Sequence, residues 1–282
     1  MLYYYANSGH KLGMERVRRG TALLKKLKEA GVETQLLVND FRAGLLAKEL
    51  GLDAYVTIET IQDIDAIAQP GDSIIIDSLE DERGRLVKYC ADFKHVWRFE
   101  HDSEDYSVHG ERLIRSKCSD HSCEDALILD DLFFEIHPKE ERLLFFLGDA
   151  DYDKVILNNA PFFEAFDMEL LLGNYFFVKY ESDLEKLFTT MHEPEAYSDL
   201  ITSSSTIVTA SAYTALEAKV SGAKVILIEA DKPFLYPKEM LEAYGIVVIE
   251  GFDVGKVNQA LSSEMPKASK MIEKYDASNF KI

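Results

Sequence analysis

The beginning of the chain gathers residue types suited to holding an anion. Asn7, Ser8, Gly9, His10, Lys11, Leu12 and Gly13 are followed by Arg16, Arg18 and Arg19. A short apolar strand, Leu2–Ala6, runs straight into this polar, glycine-bearing loop, and the loop opens a helix with three arginines in its first turns. A helix N-terminus presents unpaired N–H groups and a partial positive charge, which stabilise phosphate or carboxylate. Asn7, Ser8, Gly13 and Arg19 are therefore candidate anion-binding residues, with His10 as a proton acceptor in the same loop. The competing account makes Arg16, Arg18 and Arg19 solvated surface residues paired with nearby acids, and His10 a solvent-exposed loop histidine. The sequence leaves both accounts open.

The charge balance narrows the partners. With 31 basic and 50 acidic residues the net charge is -19, which argues against nucleic acid and anionic membrane surfaces, since both call for broad positive patches. A small phosphorylated ligand needs only local positive potential and stays allowed. Hydrophobic content of 47% is ample for packed cores. No apolar run approaches the roughly 20 residues needed to cross a bilayer, and Leu2–Ala6 has no basic lead of a signal peptide, so a cytoplasmic location is expected. Cys90, Cys118 and Cys123 form an odd set, which argues for idle thiols rather than a disulfide framework. Cys118, His121 and Cys123 are dense in zinc-ligand types but lack a fourth partner at a standard spacing, so no metal and no cofactor are expected. Oligomeric state is not legible.

These candidates need a scaffold, and the chain alternates short apolar runs with helical stretches. Strands are predicted at Leu2–Ala6, Thr34–Val38, Ala54–Ile58, Ser73–Asp77, His95–Phe99 and Ala126–Leu129, with a short one at Arg112–Ser116. Helices are predicted near Glu15–Ala30, Phe41–Leu50, Ile61–Ala68 and Asp81–Phe93. A second round follows the linker His137–Glu141. Its strands are predicted at Leu143–Leu147, Met168–Leu172, Phe176–Tyr180, Thr206–Thr209, Lys224–Ile228 and Ile246–Ile249. Its helices are predicted near Ser182–Met191, Thr214–Ser221, Pro237–Ala243 and Val254–Leu261, with a helical C-terminal tail packing back on the first domain. The expected fold class is α/β, with two Rossmann-like doubly wound domains over residues 1–137 and 138–282, facing across a cleft. Ligands in such sheets sit at the carboxyl ends of the strands.

The stretch Thr209-Ala210-Ser211-Ala212-Tyr213-Thr214-Ala215-Leu216-Glu217 resembles the nucleotide-sugar signature of GT-B folds. It is similar in particular to the PseG-type UDP-sugar hydrolases of pseudaminic acid biosynthesis, themselves similar to MurG. That family shows a Gly-Gly-Ser-Thr turn opening a helix, then a Glu three residues on. The resemblance implies that Ser211, Tyr213 and Thr214 lie on the pyrophosphate and that Glu217 takes the ribose hydroxyls. Both family glycines are replaced here, by Ser211 and Ala212, and Thr214-x-x-Glu217 equally fits a helix capping box. The first loop of the second domain reads Gly148-Asp149-Ala150-Asp151, keeping Gly148 as a nucleotide-binding candidate but placing Asp149 where the family has glycine.

The opening segment resembles the same family, with Gly13 and Arg19 matching and the catalytic histidine position falling on Arg16. In the family that histidine activates water to attack the anomeric carbon and release UDP. A permanently protonated arginine cannot take that proton. The catalytic candidates are therefore His10 as a displaced base, Arg16 as a stabiliser of the departing diphosphate, and Asp77. Asp77 stands where the family's acidic-x-Tyr motif begins; the tyrosine is replaced by Leu79, and the family's Asn-Gln pair falls on Asp231-Lys232. The expected partner is a small-molecule nucleotide-sugar. The expected activity is a UDP-sugar hydrolase or a GT-B glycosyltransferase, with a diverged non-catalytic nucleotide- or sugar-binding homologue as the alternative.

Overall fold

The computed structural model describes residues 1–282 except 80–83, 103, 119–122, 177–179, 230–234, 278–279 and 281–282. The chain divides into two compact units, Met1–Asp130 with Lys274–Ile282, and Asp131–Glu273.

The first unit runs β1 (Leu2–Ala6), α1 (Glu15–Glu29), β2 (Thr34–Val38), α2 (Phe41–Glu49), β3 (Tyr55–Thr57), β4 (Ser73–Asp77), α3 (Arg85–Asp92), β5 (His95–Phe99), β6 (Arg112–Arg115) and β7 (Cys123–Asp125). All pairings are parallel, in the order β3-β2-β1-β4-β5-β6-β7. The central strands β1 and β4 are buried along their whole length, and their near-continuous apolar runs are what a sheet covered on both faces requires. The strand order reverses between β1 and β4, which marks the ligand crevice of a Rossmann-like sheet.

The second unit repeats the plan. It contains β8 (Glu140–Phe146), α4 (Val155–Asn158), α5 (Ala160–Phe163), β9 (Glu169–Leu171), α6 (Glu181–Leu184), β10 (Thr190–His192), α7 (Tyr197–Ser203), β11 (Ser204–Thr209), α8 (Ala212–Val220), β12 (Lys224–Glu229), α9 (Lys238–Ala243), β13 (Val247–Glu250) and α10 (Val254–Ser262). Its parallel sheet is ordered β10-β9-β8-β11-β12-β13, with the reversal between β8 and β11. One face is closed by a phenylalanine-rich core in which Phe145, Phe163 and Phe188 pack together.

Several expected elements differ. Ala126–Leu129 is a buried connection rather than a strand, because pairing stops at Asp125. The helix expected over Ser182–Met191 shortens to Glu181–Leu184, and β10 forms instead at the edge of the sheet. Most of the strand expected at Phe176–Tyr180 lies outside the described residues; Phe176 and Tyr180 are not in a strand. Ile61–Ala66 winds as a 3-10 helix closed by a capping box on Thr60 and Asp63. The tail 264–276 is not helical, yet its end belongs with the first unit, where the Phe280 ring lies 4.5 Å from Trp97 between centroids.

Trp97 is fully buried and is the chain's one tryptophan, so it reports on that docking. Phe280→Ala should destabilise by about 3–5 kcal/mol, the range for large-to-small changes at buried rings. The measurement is denaturant unfolding followed by tryptophan emission, which should also shift to the red in the native variant as Trp97 gains solvent.

Candidate functional site

In the first unit the register Ala6↔Asp77 sets the ends of β1 and β4 side by side at the reversal. Asp77 is almost wholly buried, and its carboxylate collects three side chains. Arg19 grips it with both arms, Nε to Oδ2 at 2.6 Å and Nη2 to Oδ1 at 2.5 Å. The Tyr4 hydroxyl donates to Oδ2 at 2.6 Å, and Arg16 Nε stands 3.4 Å from Oδ1. Burial first, and the neighbouring Asp77 charge second, push the Tyr4 phenol well above its ordinary range, so it stays a donor. The Arg19 guanidinium also lies over Phe99, 4.2 Å from the ring centroid.

The helix reaches this carboxylate because residue 20 is glycine. A Cβ there would stand 2.6 Å from the Tyr4 ring, so Gly20 lets α1 sit directly on β1. The loop between them is tied on both sides. Asn7 N donates to the Asp77 carbonyl at 3.1 Å and Asn7 Nδ2 to Ser78 Oγ at 3.2 Å. Ser8 N donates to Asn39 Oδ1 at 2.7 Å, and Asn39 Nδ2 returns a bond to the Ser8 carbonyl at 2.9 Å. A bridge between Gly9 and Gly13 closes the loop tip, where His10 is exposed.

Of the account in which all three arginines are solvated and paired with nearby acids, the pairing holds for Arg16 and Arg19 but the solvation does not: Arg18 and Arg19 are buried, and Arg16 is half-buried with Nη1 on the Asn7 carbonyl at 3.3 Å. Arginines enter an interior when a carboxylate meets them there, and for Arg19, with Arg16 beside it, Asp77 is that carboxylate. Positive charge at this helix start is thus partly spent inside the protein.

Next along the sheet, residues 104–111 wrap a further buried arginine. Arg98 donates to Asp105 at 2.5 and 2.9 Å and to Glu111 at 3.3 Å. Glu111 accepts the backbone N–H groups of Val108 and His109 at 2.9 and 2.8 Å. His101 belongs to the same end of the sheet, with Nε2 3.2 Å from the Ser78 carbonyl; sequence reasoning passed over it because it lies in an irregular charged stretch. A pocket of about 230 Å³ lies here, lined among others by Arg98, His101, Asp105 and His109.

In the second unit Gly148 follows β8 with φ 138°, in the region that favours glycine. Asp151 turns its carboxylate back onto α4, accepting Val155 N at 2.5 Å and Ile156 N at 3.3 Å. Burial raises the Asp151 carboxyl above its ordinary range, partly offset by these bonds. The first turn of α4 is therefore capped by the chain itself. At the end of β11, Ser211 caps α8 through Thr214 N at 3.1 Å. The capping-box alternative for Thr214 and Glu217 is therefore excluded, since the cap lies three residues earlier. Thr214 and Glu217 are instead interior, and both bond the Tyr197 hydroxyl, Thr214 Oγ1 at 2.8 Å and Glu217 through Oε2. Tyr213 is buried beside them. Asp231 and Lys232 lie outside the described residues.

Cys118 and Cys123 are joined in a disulfide, against the expectation of idle thiols, while Cys90 is free. Their spacing permitted pairing, and the odd count hid it. No group of three or more metal-ligating side chains occurs among the described residues, and His121 is outside them. No helix of the described residues is long and apolar enough to cross a membrane.

No protein-family model and no curated protein matches the chain. Among solved structures it is similar to the UDP-GlcNAc 2-epimerase of Methanocaldococcus jannaschii in complex with UDP-GlcNAc and UDP, at 13% identity and TM-score 0.57 over 99% of this chain and 97% of that one. It is also similar to the UDP-GlcNAc 2-epimerase of Neisseria meningitidis bound to UDP-GlcNAc, at 11% identity and TM-score 0.52 over 93% and 90%. The calicheamicin glycosyltransferase follows at 13% identity and TM-score 0.51 over 92% and 88%. At such identities the likeness is one of fold: the chain has the two Rossmann-like units of the GT-B type.

Two outcomes follow from the buried pairs. Asp77→Asn should destabilise by about 3–5 kcal/mol in urea unfolding, because it strands the Arg19 charge in the interior. For Asp105, burial pushes the carboxyl up, but the Arg98 hydrogen bonds and the His101 N–H outweigh it and hold it at about 2. A depressed carboxyl contributes stability above its unfolded value of about 3.9 and loses it as pH falls through about 2. Amide protection over residues 104–111 should accordingly hold from neutral pH down to about 4 and collapse between about 4 and 2.

Proposed function

We propose that this chain processes a nucleotide-sugar, the loops after β8 and β11 of the second unit being candidates for a UDP moiety and the Asn7–Arg19 segment of the first for an anionic or sugar group. The observation that carries the reading is placement. The loop–helix motifs singled out by residue type fall at the strand-order reversals of both sheets, where Rossmann-like folds take their ligands. The solved structures of the same fold include two with UDP-GlcNAc bound, which supports the nucleotide class.

In this reading Gly148 and the Ser211–Thr214 turn approach the diphosphate through backbone N–H groups, and Glu217 takes the ribose while sharing its carboxylate with Tyr197. Attack at the anomeric carbon releases UDP, as in the PseG-like hydrolases of pseudaminic acid synthesis that the sequence resembles. His10, exposed on the loop tip, supplies the base, since Arg16 remains protonated and Asp77 is saturated by arginine and tyrosine. Arg16, the more exposed of the two arginines on Asp77, offsets charge on the departing diphosphate.

A second reading, a non-catalytic nucleotide- or sugar-binding homologue, draws on one observation. Thr214 and Glu217 lie in the interior on Tyr197, as residues do that hold a fold rather than a ligand. Thermal unfolding with UDP separates the possibilities. UDP at 100 times its Kd should stabilise the protein by about 2.7 kcal/mol and raise Tm. No shift at millimolar UDP overturns nucleotide binding. A shift without UDP release from any UDP-sugar selects the second reading, and release abolished in His10→Ala selects the first.

A further inference from the structure

β6 and β7 are parallel neighbours, paired Leu113↔Cys123 to Arg115↔Asp125, yet residues 116–122 alone connect them. Parallel strands ordinarily need a crossover of about a dozen residues or more, usually a helix. This connection is spanned by the Cys118–Cys123 disulfide, whose Cα atoms are 5.7 Å apart. Cys123 is the first residue of β7, a three-residue strand at the edge of the sheet. Edge strands this short carry little pairing energy of their own. Beyond the disulfide, β7 is held by Arg112 on Glu124 at 3.1 Å.

The residues leading into the disulfide also hold the end of β5. Ser116 donates to Glu100 Oε1 through both its N–H and its hydroxyl, each at 2.6 Å, and Arg115 Nε donates to Oε2 at 3.0 Å. Glu100 directly precedes His101, whose ring reaches the Ser78 carbonyl beside Asp77. Both cysteines are half-buried, which leaves the sulfurs within reach of a small thiol.

We propose that Cys118–Cys123 is a redox-active clasp that pins β7 and, through Ser116, the Glu100 end of β5. A dithiol reductant opens it: one thiolate attacks a sulfur, the S–S bond breaks with formation of a mixed disulfide, and the second thiol closes the reductant's own disulfide. Two electrons and two protons pass to Cys118 and Cys123, which become thiols. Reduction frees the connection and loosens Ser116 from Glu100. Cys90, whose thiol burial pushes up to about 11, takes no part.

The test uses the full chain and measures thiols and amide exchange, so its result is independent of whether any nucleotide binds. After incubation with oxidised glutathione and removal of the excess, denaturing alkylation with iodoacetamide should label Cys90 alone; dithiothreitol treatment should expose all three cysteines. Hydrogen exchange across residues 112–118 and 123–125 should quicken by about tenfold or more on reduction, with β1 and β4 unchanged. Cys118→Ser/Cys123→Ser should exchange like the reduced protein in either condition, and Cys90→Ser should respond like the parent. Three labels in the oxidised sample, or equal exchange in both states, overturns the proposal.

Discussion

Asp77 is a carboxylate placed in the interior, and burying it unpaired would cost several kcal/mol. The first unit is arranged around meeting that demand. β1 must carry Tyr4 on the face that looks toward α1, and α1 must lie close enough for Arg19 to reach with both arms, which Gly20 permits. With strand, helix and carboxylate fixed together, the connecting loop has little choice of path. Its first residues bond the end of β4 through Asn7 and the end of β2 through Asn39. The position of the candidate site is thus a consequence of one buried ion pair rather than of the loop's own sequence.

The second unit reaches the same topology with different chemistry at the reversal. Where the first unit sets arginines against one carboxylate, this loop carries Asp149 and Asp151, and Asp151 is used to cap α4. The polar groups of α8 are likewise turned inward, with Tyr197 bridging Thr214 and Glu217.

The alternating pattern made the fold readable, because parallel strands buried on both faces leave unbroken apolar runs such as Leu2–Ala6 and Ser73–Asp77. The two loop–helix motifs were legible for the same reason, as polar glycine-bearing segments directly after such runs. Their interior chemistry was not. The partner that buries Arg19 is 58 residues away in sequence, and nothing local announces it. The capping register of α8 was missed because Ser211 and Thr214 both suit the role, and only backbone geometry decides between them. β10 has three residues, Thr190, Met191 and His192, too few and too mixed to show a period. The 101–111 stretch seemed irregular because its order comes from Arg98, a residue in the strand before it.

The arginines explain how so acidic a chain keeps carboxylates inside. Along the carboxyl end of the first sheet, Asp77 is held by Arg19 and Arg16, Glu100 by Arg115, and Asp105 with Glu111 by Arg98. These buried acids are therefore organised by guanidinium groups before any ligand arrives. The same pairs fix the backbone on which His101 stands, since Asp105, gripped by Arg98, accepts the His101 N–H at 2.8 Å.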